Sequence, residues 1–287
     1  SGGWRTGVRR AKCEPQMAAH YEHVDDESRA AWASGDTVDH AAAIVASHVS
    51  DVHTDRAQAS AAWEAMFAAQ GKHGTAYADR RYLTLAFPAL LDDGITVVEF
   101  GCGAGNAMFP VLAANGTAHY VGLDCAQGAL ALARADARFD ASRTRLHHWT
   151  AGEDWPDVAP MRPIICLMIF FLSAVPADVI PGLLERIRER HPGARLLIRD
   201  YGEYDMTQLR SRPETRTIEG QYVRSDGTLR TFFSLDAMRA LLSPHFDIER
   251  MDFSMRCLRN RKSNVTMYRR WIHVEARAKR AATALPS

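Results

Sequence analysis

The residues most able to do chemistry lie where an apolar run, Val97-Val98, ends at a carboxylate and opens into glycines: Glu99-Phe100-Gly101-Cys102-Gly103-Ala104-Gly105-Asn106. Glycines at alternate positions let a backbone turn sharply from strand to helix and approach a ligand with no Cβ in the way. A second carboxylate, Asp124, closes the next apolar run, Tyr120-Val121-Gly122-Leu123, 19 residues after Gly105. A carboxylate at that place can accept both hydroxyls of a ribose. Together the two acids argue for a nucleoside cofactor and against a bare strand-to-helix turn, which needs neither.

Glu99 separates the candidate cofactors. A carboxylate just before the loop repels a pyrophosphate and attracts the sulfonium and α-ammonium of S-adenosylmethionine (SAM). The glycine spacing also departs from the G-x-G-x-x-G of NAD and FAD sites, which remain the alternative. The reading is therefore SAM, held by Glu99, Gly101, Gly103, Gly105, Asn106 and Asp124. No metal site is expected. The five cysteines (Cys13, Cys102, Cys125, Cys166, Cys257) are scattered without a C-x-x-C pair, and the histidines form no H-x-x-x-H pair. Cys102 reads as a small core residue between glycines.

Such a site needs a sheet whose strand ends converge. Strands are expected at Ile95 to Phe100, His119 to Asp124, Leu146 to Thr150, Ile164 to Met168 and Arg195 to Asp200. Helices are expected between them, near Gly105 to Ala114, Ala126 to Ala135 and Ala177 to Arg190. The alternation predicts an α/β doubly wound, Rossmann-like sheet with ligands at the carboxyl ends of its strands. After Asp200 a polar, Arg-rich insertion (201–233) precedes a helix, Ser234 to Leu242, and two last strands, Phe246 to Ser254 and Thr266 to Glu275. That last pair is expected to be antiparallel. Residues 1–60 read as a flexible or weakly helical extension, 61–276 as the catalytic domain and 277–287 as a tail.

The chain of 287 residues has a net charge of only +1, but residues 1–185 hold 14 basic and 22 acidic groups while 186–287 hold 21 and 12. The resulting segments, near −8 and +9, suggest that a polyanion meets the C-terminal part. The longest apolar run, Ile164 to Ala174, is about half of what a bilayer needs, so no membrane partner is expected. Unpaired cysteines point to a reducing, cytoplasmic setting. The acid-free stretch with Arg5, Arg9, Arg10 and Lys12 makes mitochondrial targeting an alternative, with the nucleus a further one.

Several blocks then carry a resemblance. Ile198-Arg199-Asp200-Tyr201-Gly202-Glu203-Tyr204-Asp205 resembles a segment of the eukaryotic methyltransferase-like enzymes that form 3-methylcytidine in the anticodon loop of tRNA. Trp63-Glu64-Ala65-Met66-Phe67 is similar to that family's N-terminal W-x-x-F-[YF] element, and Asp79-Arg80 to its K-D-R-H-W element. Ile169 to Val175 is similar to I-F-V-L-S-A-[IV] after the fourth strand. Tyr222 to Thr228 with Phe232-Phe233, and Met267 to Ile272, resemble two further blocks. The resemblance implies a class I SAM-dependent methyltransferase fold, SAM contacts from Trp63, Phe67, Gly101, Asp124, Thr150-Ala151 and Ile169, and tRNA as partner. Some relatives require an aminoacyl-tRNA synthetase or another accessory protein to present the tRNA. Where the family has Asp-Leu to meet adenine, this chain has Thr150-Ala151, with Glu153 or Asp154 as possible substitutes.

Cytosine N3 carries an in-plane lone pair, so its methylation needs no prior proton removal and leaves a cationic ring. A preorganised carboxylate beside the base would stabilise that charge, which makes Asp200 the candidate, flanked by Arg199 and by Tyr201 as a stacking partner. Phosphates would be gripped by Arg80, Arg210, Arg224, Arg256, Arg259, Arg261 and Arg269 as a group. The absence of a [DN]-P-P-[YF] tetrad argues against exocyclic-amine methylation, and the absence of a Pro-Cys pair against C5 methylation. The competing readings are methylation of a small molecule or protein, and a non-catalytic tRNA-binding subunit.

Overall fold

The computed structural model describes residues 21–23, 35–48, 55–70, 77–157, 163–217, 219–260 and 265–280. The basic stretch at residues 5–12, Cys13, Arg261 and the side chain of Arg259 lie outside what is described. The strands are β1 (Tyr21–His23), β2 (Thr96–Phe100), β3 (His119–Asp124), β4 (Thr144–His148), β5 (Ile164–Ile169), β6 (Arg195–Tyr201), β7 (Tyr222–Val223), β8 (Leu229–Arg230), β9 (Phe246–Asn260) and β10 (Val265–Ala278). Eight form one sheet in the order β1-β9-β10-β6-β5-β2-β3-β4, and β7 with β8 makes a separate hairpin.

Strands β4, β3, β2, β5 and β6 are mutually parallel. β10 runs antiparallel to both β6 and β9, as expected of the last pair. All five residues of β2 are buried, as befits a central parallel strand covered on both faces. Alternation splits the core in two. Val98, Phe100, Cys166, Met168, Leu196 and Ile198 face helices α6 (Val179–Arg190) and α8 (Leu235–Leu242). Val97, Ile165, Leu167, Ile169 and Leu197 face α4 (Met108–Ala114) and α5 (Gln127–Ala135). This period of two decides which residues near the strand ends meet.

Three expectations shift. β4 begins and ends two residues earlier than the expected Leu146 to Thr150: its pairing with β3 ends at His148 opposite Asp124, and the Thr150 amide donates to Glu153 Oε2 at 3.1 Å. The N-terminal segment holds two helices, α1 (Gly35–Ala46) and α2 (Arg56–Gln70), and α2 crosses the expected boundary at residue 60. In the last pair, β9 runs to Asn260, past its expected end at Ser254, and β10 runs to Ala278, past the expected start of the tail at 277.

Helix α2 is fixed by a side chain that does not reach the site. Glu64 accepts from the first amides of α5, at 2.5 Å from Gln127 and 3.2 Å from Gly128. A carboxylate at a helix N-terminus satisfies orphan N–H groups and complements the helix dipole. Met66 and Phe67 then pack with Ala104, Ala126 and Ala129 beneath it. The insertion carries a short helix, α7 (Met206–Leu209), and the β7-β8 hairpin, and it closes on the loop after β5 through Gln221, which bonds Ala177 N and Val175 O.

Candidate active site

A cleft of about 840 Å³ lies over the carboxyl ends of β2, β3, β5 and β6 and is roofed by α2. Arg56, Ala59, Ser60, Trp63 and Phe67 line it from one face of that helix, the i, i+3, i+4, i+7, i+11 pattern of a helical stripe. Opposite them lie Glu99, Gly101, Gly103, Asn106, Asp124, Ala151 and Ile169. Of the residues expected to meet SAM, only Gly105 and Thr150 do not line the cleft.

The glycine loop is shaped by contact as well as by curvature. Gly101 has φ +75°, and a Cβ there would come within 2.6 Å of the Phe171 ring, so both torsion and space require glycine. Gly103 turns its amide onto Asp124 Oδ2 at 2.7 Å, while Ala126 N donates to Oδ1 at 2.8 Å. Asp124 is thus oriented by two backbone amides, and each oxygen keeps a lone pair for a ribose hydroxyl. Burial raises its pKa, and the two amides act against that shift.

Glu99 is 2% exposed and lines the cleft, accepting only the Tyr120 hydroxyl at 2.8 Å. Burial pushes its pKa up to about 8, against the lowering effects of the Tyr120 bond and Arg80, with Asp124 raising it further. A buried carboxylate that forms no ion pair among the described residues fits a ligand that brings a cation. The α-ammonium and sulfonium of SAM are such groups. The residues present therefore fit this cofactor, which when bound supplies an electrophilic methyl group.

The adenine end differs from expectation. Glu153 is engaged with the Thr150 amide, and Asp154 is exposed and faces Arg186 at 3.5 Å, so neither substitutes for the missing aspartate. Ala151 lines the cleft with Trp149 and Cys125, and Arg56 from α2 reaches Ala151 O at 3.5 Å. Sequence reading passed over Arg56 because it precedes every recognisable motif.

Asp200 requires a correction. It is fully buried and absent from the cleft wall. Its carboxylate accepts from Ser173 N at 3.0 Å and Tyr201 N at 2.8 Å. Arg199 and Tyr201 point to the cleft face of β6, so Asp200 between them points to the other. It holds the turn after β5 and the Tyr201 backbone in place. Nor does it pair with Arg199, whose guanidinium donates to Ser254 Oγ at 3.0 Å and lies 4.8 Å from the rings of Tyr82 and Trp271.

An aromatic floor takes its place. Tyr201 lies 4.9 Å from Phe170, which lies 6.1 Å from Trp271. Phe170 has φ +55°, an uncommon conformation for a bulky residue, stabilised by its amide donating to Arg199 O at 2.7 Å. Strand register makes Trp271 the partner of Tyr201. Sequence reading quoted Phe170 and Trp271 in motifs without giving them a place in the site. Among the expected arginines, Arg80, Arg224, Arg256 and Arg269 line the cleft, and Arg210 is exposed beyond it. Arg230 and Arg81 also line it and were not anticipated. Arg269 is tied to the buried Asp205 at 3.0 Å, and Arg224 to Asp226 at 3.2 Å.

Comparison with known proteins agrees with this geometry. A family described as "Methyltransferase domain" matches residues 68–244. The tRNA(Thr) (cytosine(32)-N(3))-methyltransferase of Saccharomyces cerevisiae is 31% identical over 210 residues, covering 68% of this chain and 33% of that protein. The tRNA N(3)-methylcytidine methyltransferase of Schizosaccharomyces pombe is 30% identical over 213 residues, 70% of this chain and 69% of that one. This chain thus spans about a third of the first relative's length and about two thirds of the second's. A SAM-dependent methyltransferase from Anabaena variabilis superposes with a TM-score of 0.56 over 81% of this chain and 98% of its own, at 13% identity, a likeness of fold. The chain belongs to the SAM-dependent class I methyltransferases, within the family of tRNA N(3)-cytidine methyltransferases.

Proposed function

We propose that this protein methylates N3 of an unpaired cytosine in the anticodon loop of tRNA, using SAM. The observation that carries the reading is the aromatic floor of Phe170, Tyr201 and Trp271 beside the cofactor cleft, bordered by arginines. A flat base stacks on such rings, and the cations suit a phosphate backbone. N3 lies on the Watson–Crick edge, so the base must be unpaired or extruded to reach the methyl group, and a loop provides it at low cost.

SAM would supply the methyl group to the in-plane lone pair of N3 and would leave as the neutral thioether, so the positive charge would end on the ring. No general base is needed. Phe170 and Tyr201 present π faces that stabilise the cationic ring. Asp200 contributes by fixing the Tyr201 backbone and the 171–174 turn. Asp124 and Glu99 would hold the ribose and amino-acid ends of SAM, which would supply the methyl group on the side of the floor.

The deciding experiment is nucleoside mass spectrometry of tRNA incubated with the protein and SAM. Appearance of 3-methylcytidine supports the reading. Methyl transfer to a small molecule or a protein side chain in its place would overturn it, as would SAM binding too weak to detect by calorimetry, the mark of a non-catalytic subunit. A helper such as an aminoacyl-tRNA synthetase belongs to the same proposal. Its signature is a rate that rises when the synthetase is added.

A further inference from the structure

The cleft is lined by eight arginines and by three carboxylates, Asp79, Glu99 and Asp124. Among the described residues, Arg80, Arg199 and Arg230 form no ion pair with a carboxylate, whereas their neighbours Arg224 and Arg269 do. Each of the three lies against a ring: Arg80 at 4.9 Å over Phe170, Arg199 at 4.8 Å from Tyr82 and Trp271, and Arg230 at 5.0 Å over Tyr201. They therefore border one aromatic floor. Arg199 is 5% exposed, with a single side-chain acceptor in Ser254 Oγ. Its Nε, and Nε1 of Trp271 beside it, are buried without any acceptor. Burial lowers the pKa of both Arg199 and Arg230.

An orphaned buried donor costs about 1–3 kcal/mol, and a buried charge without a counter-ion costs more. Two orphaned donors and three guanidiniums without an ion-pair partner among the described residues border this floor, and they suit an anion with several acceptor oxygens. A base carbonyl would satisfy a donor but would leave the charge. A phosphate satisfies both, since guanidinium matches it in charge and in fork geometry.

We propose that Arg80, Arg199 and Arg230 form a phosphate subsite that takes the backbone phosphate adjoining the target cytosine. The inference rests on the reading of an RNA cytosine as methyl acceptor, and it makes the acceptor a nucleotide within a strand rather than a free nucleoside. The chemistry gives the subsite a second effect. The ring becomes cationic as the N–C bond forms, and three bare guanidiniums nearby would oppose that charge. The bound phosphate brings one negative charge that offsets part of this field, so the substrate carries a counter-ion that favours its own transition state. The phosphate should then act on kcat as well as on KM.

The test uses short RNA hairpins with a cytidine in the loop, in which the phosphate on the 5′ or the 3′ side of that cytidine is replaced by an uncharged methylphosphonate. With the intact hairpin methylated, replacement on one side is expected to lower kcat about 10- to 100-fold while SAM affinity stays unchanged. Arg230→Gln and Arg80→Gln should lower kcat on the intact hairpin and add little further loss on the methylphosphonate one. Arg199→Gln should do the same if its melting temperature matches the parent protein, and the other two variants decide if it does not. Equal kcat on all hairpins, or losses that multiply independently, would overturn the subsite while leaving RNA methylation standing. An intact hairpin and whole tRNA that both fail to accept methyl would overturn the functional reading itself and the subsite with it.

Discussion

At the scale of single residues, Glu99 and Asp124 lie in the cleft wall where the sequence pattern placed them, and the burial that raises their pKa values is unfavourable for an ionised carboxylate without a ligand. Burial raises the pKa of Glu99 from 4.5 to about 8. A cationic ligand binds the ionised form, so affinity for SAM should rise as pH increases from 6 to about 8 and then level off, with proton release on binding below pH 8. Calorimetry in two buffers of different ionisation enthalpy measures this, and Glu99→Gln should remove the dependence. The linkage to folding has the opposite direction. Since the folded-state pKa is raised, the ligand-free protein loses stability as pH rises from 4.5 towards 8 and changes little above it. Asp200 was misplaced because its neighbours Arg199 and Tyr201 face the cleft, and alternation sends the residue between them elsewhere. Asp200→Asn should leave the SAM Kd unchanged and lower kcat about 10-fold, since one of the two amides it holds then faces an NH2 group and shifts the floor. An unchanged kcat would remove even its positioning role. Burial also raises the pKa of Asp200 from 3.8 to about 6, so its contribution to stability falls as pH rises across that interval.

At the scale of elements, the parallel strands were readable from their apolar runs, and the final pair is antiparallel as expected, although β9 extends to Asn260. Helix α2 was not readable. Its alanines give little periodicity, and its ordering comes from long-range contacts that no local window contains, Glu64 on the start of α5 above all. Glu64→Ala should lower stability by about 1 kcal/mol, seen as a lower melting temperature, and weaken SAM binding although Glu64 does not line the cleft. The possible substitutes Glu153 and Asp154 lie off the cleft wall for a related reason. The early end of β4 commits Glu153 to its own turn, and the roofing helix brings Arg56 to Ala151. The arginine-rich insertion, by contrast, was visible as a composition shift, and its β7-β8 hairpin does deliver Arg224 and Arg230 to the cleft wall.

At the scale of the whole molecule, the charge split between the two parts of the chain, near −8 and +9, predicts strongly salt-dependent RNA binding. The slope of log affinity against log salt should fall by about 1 for each phosphate-contacting arginine removed, as fluorescence anisotropy with Arg80→Gln and Arg230→Gln would measure. The same topology that gathers these arginines also fixes an order of assembly. Strand β10 is the most C-terminal of the described strands, yet it lies inside the sheet between β6 and β9. While a ribosome is still making residues 265–278, β6 has an open hydrogen-bonding edge beside the apolar Leu196 and Ile198. An unpaired edge of that kind recruits other chains. The nascent protein should therefore depend on chaperones until translation has passed that point, and a premature stop within the last hairpin should give an aggregate rather than a smaller enzyme.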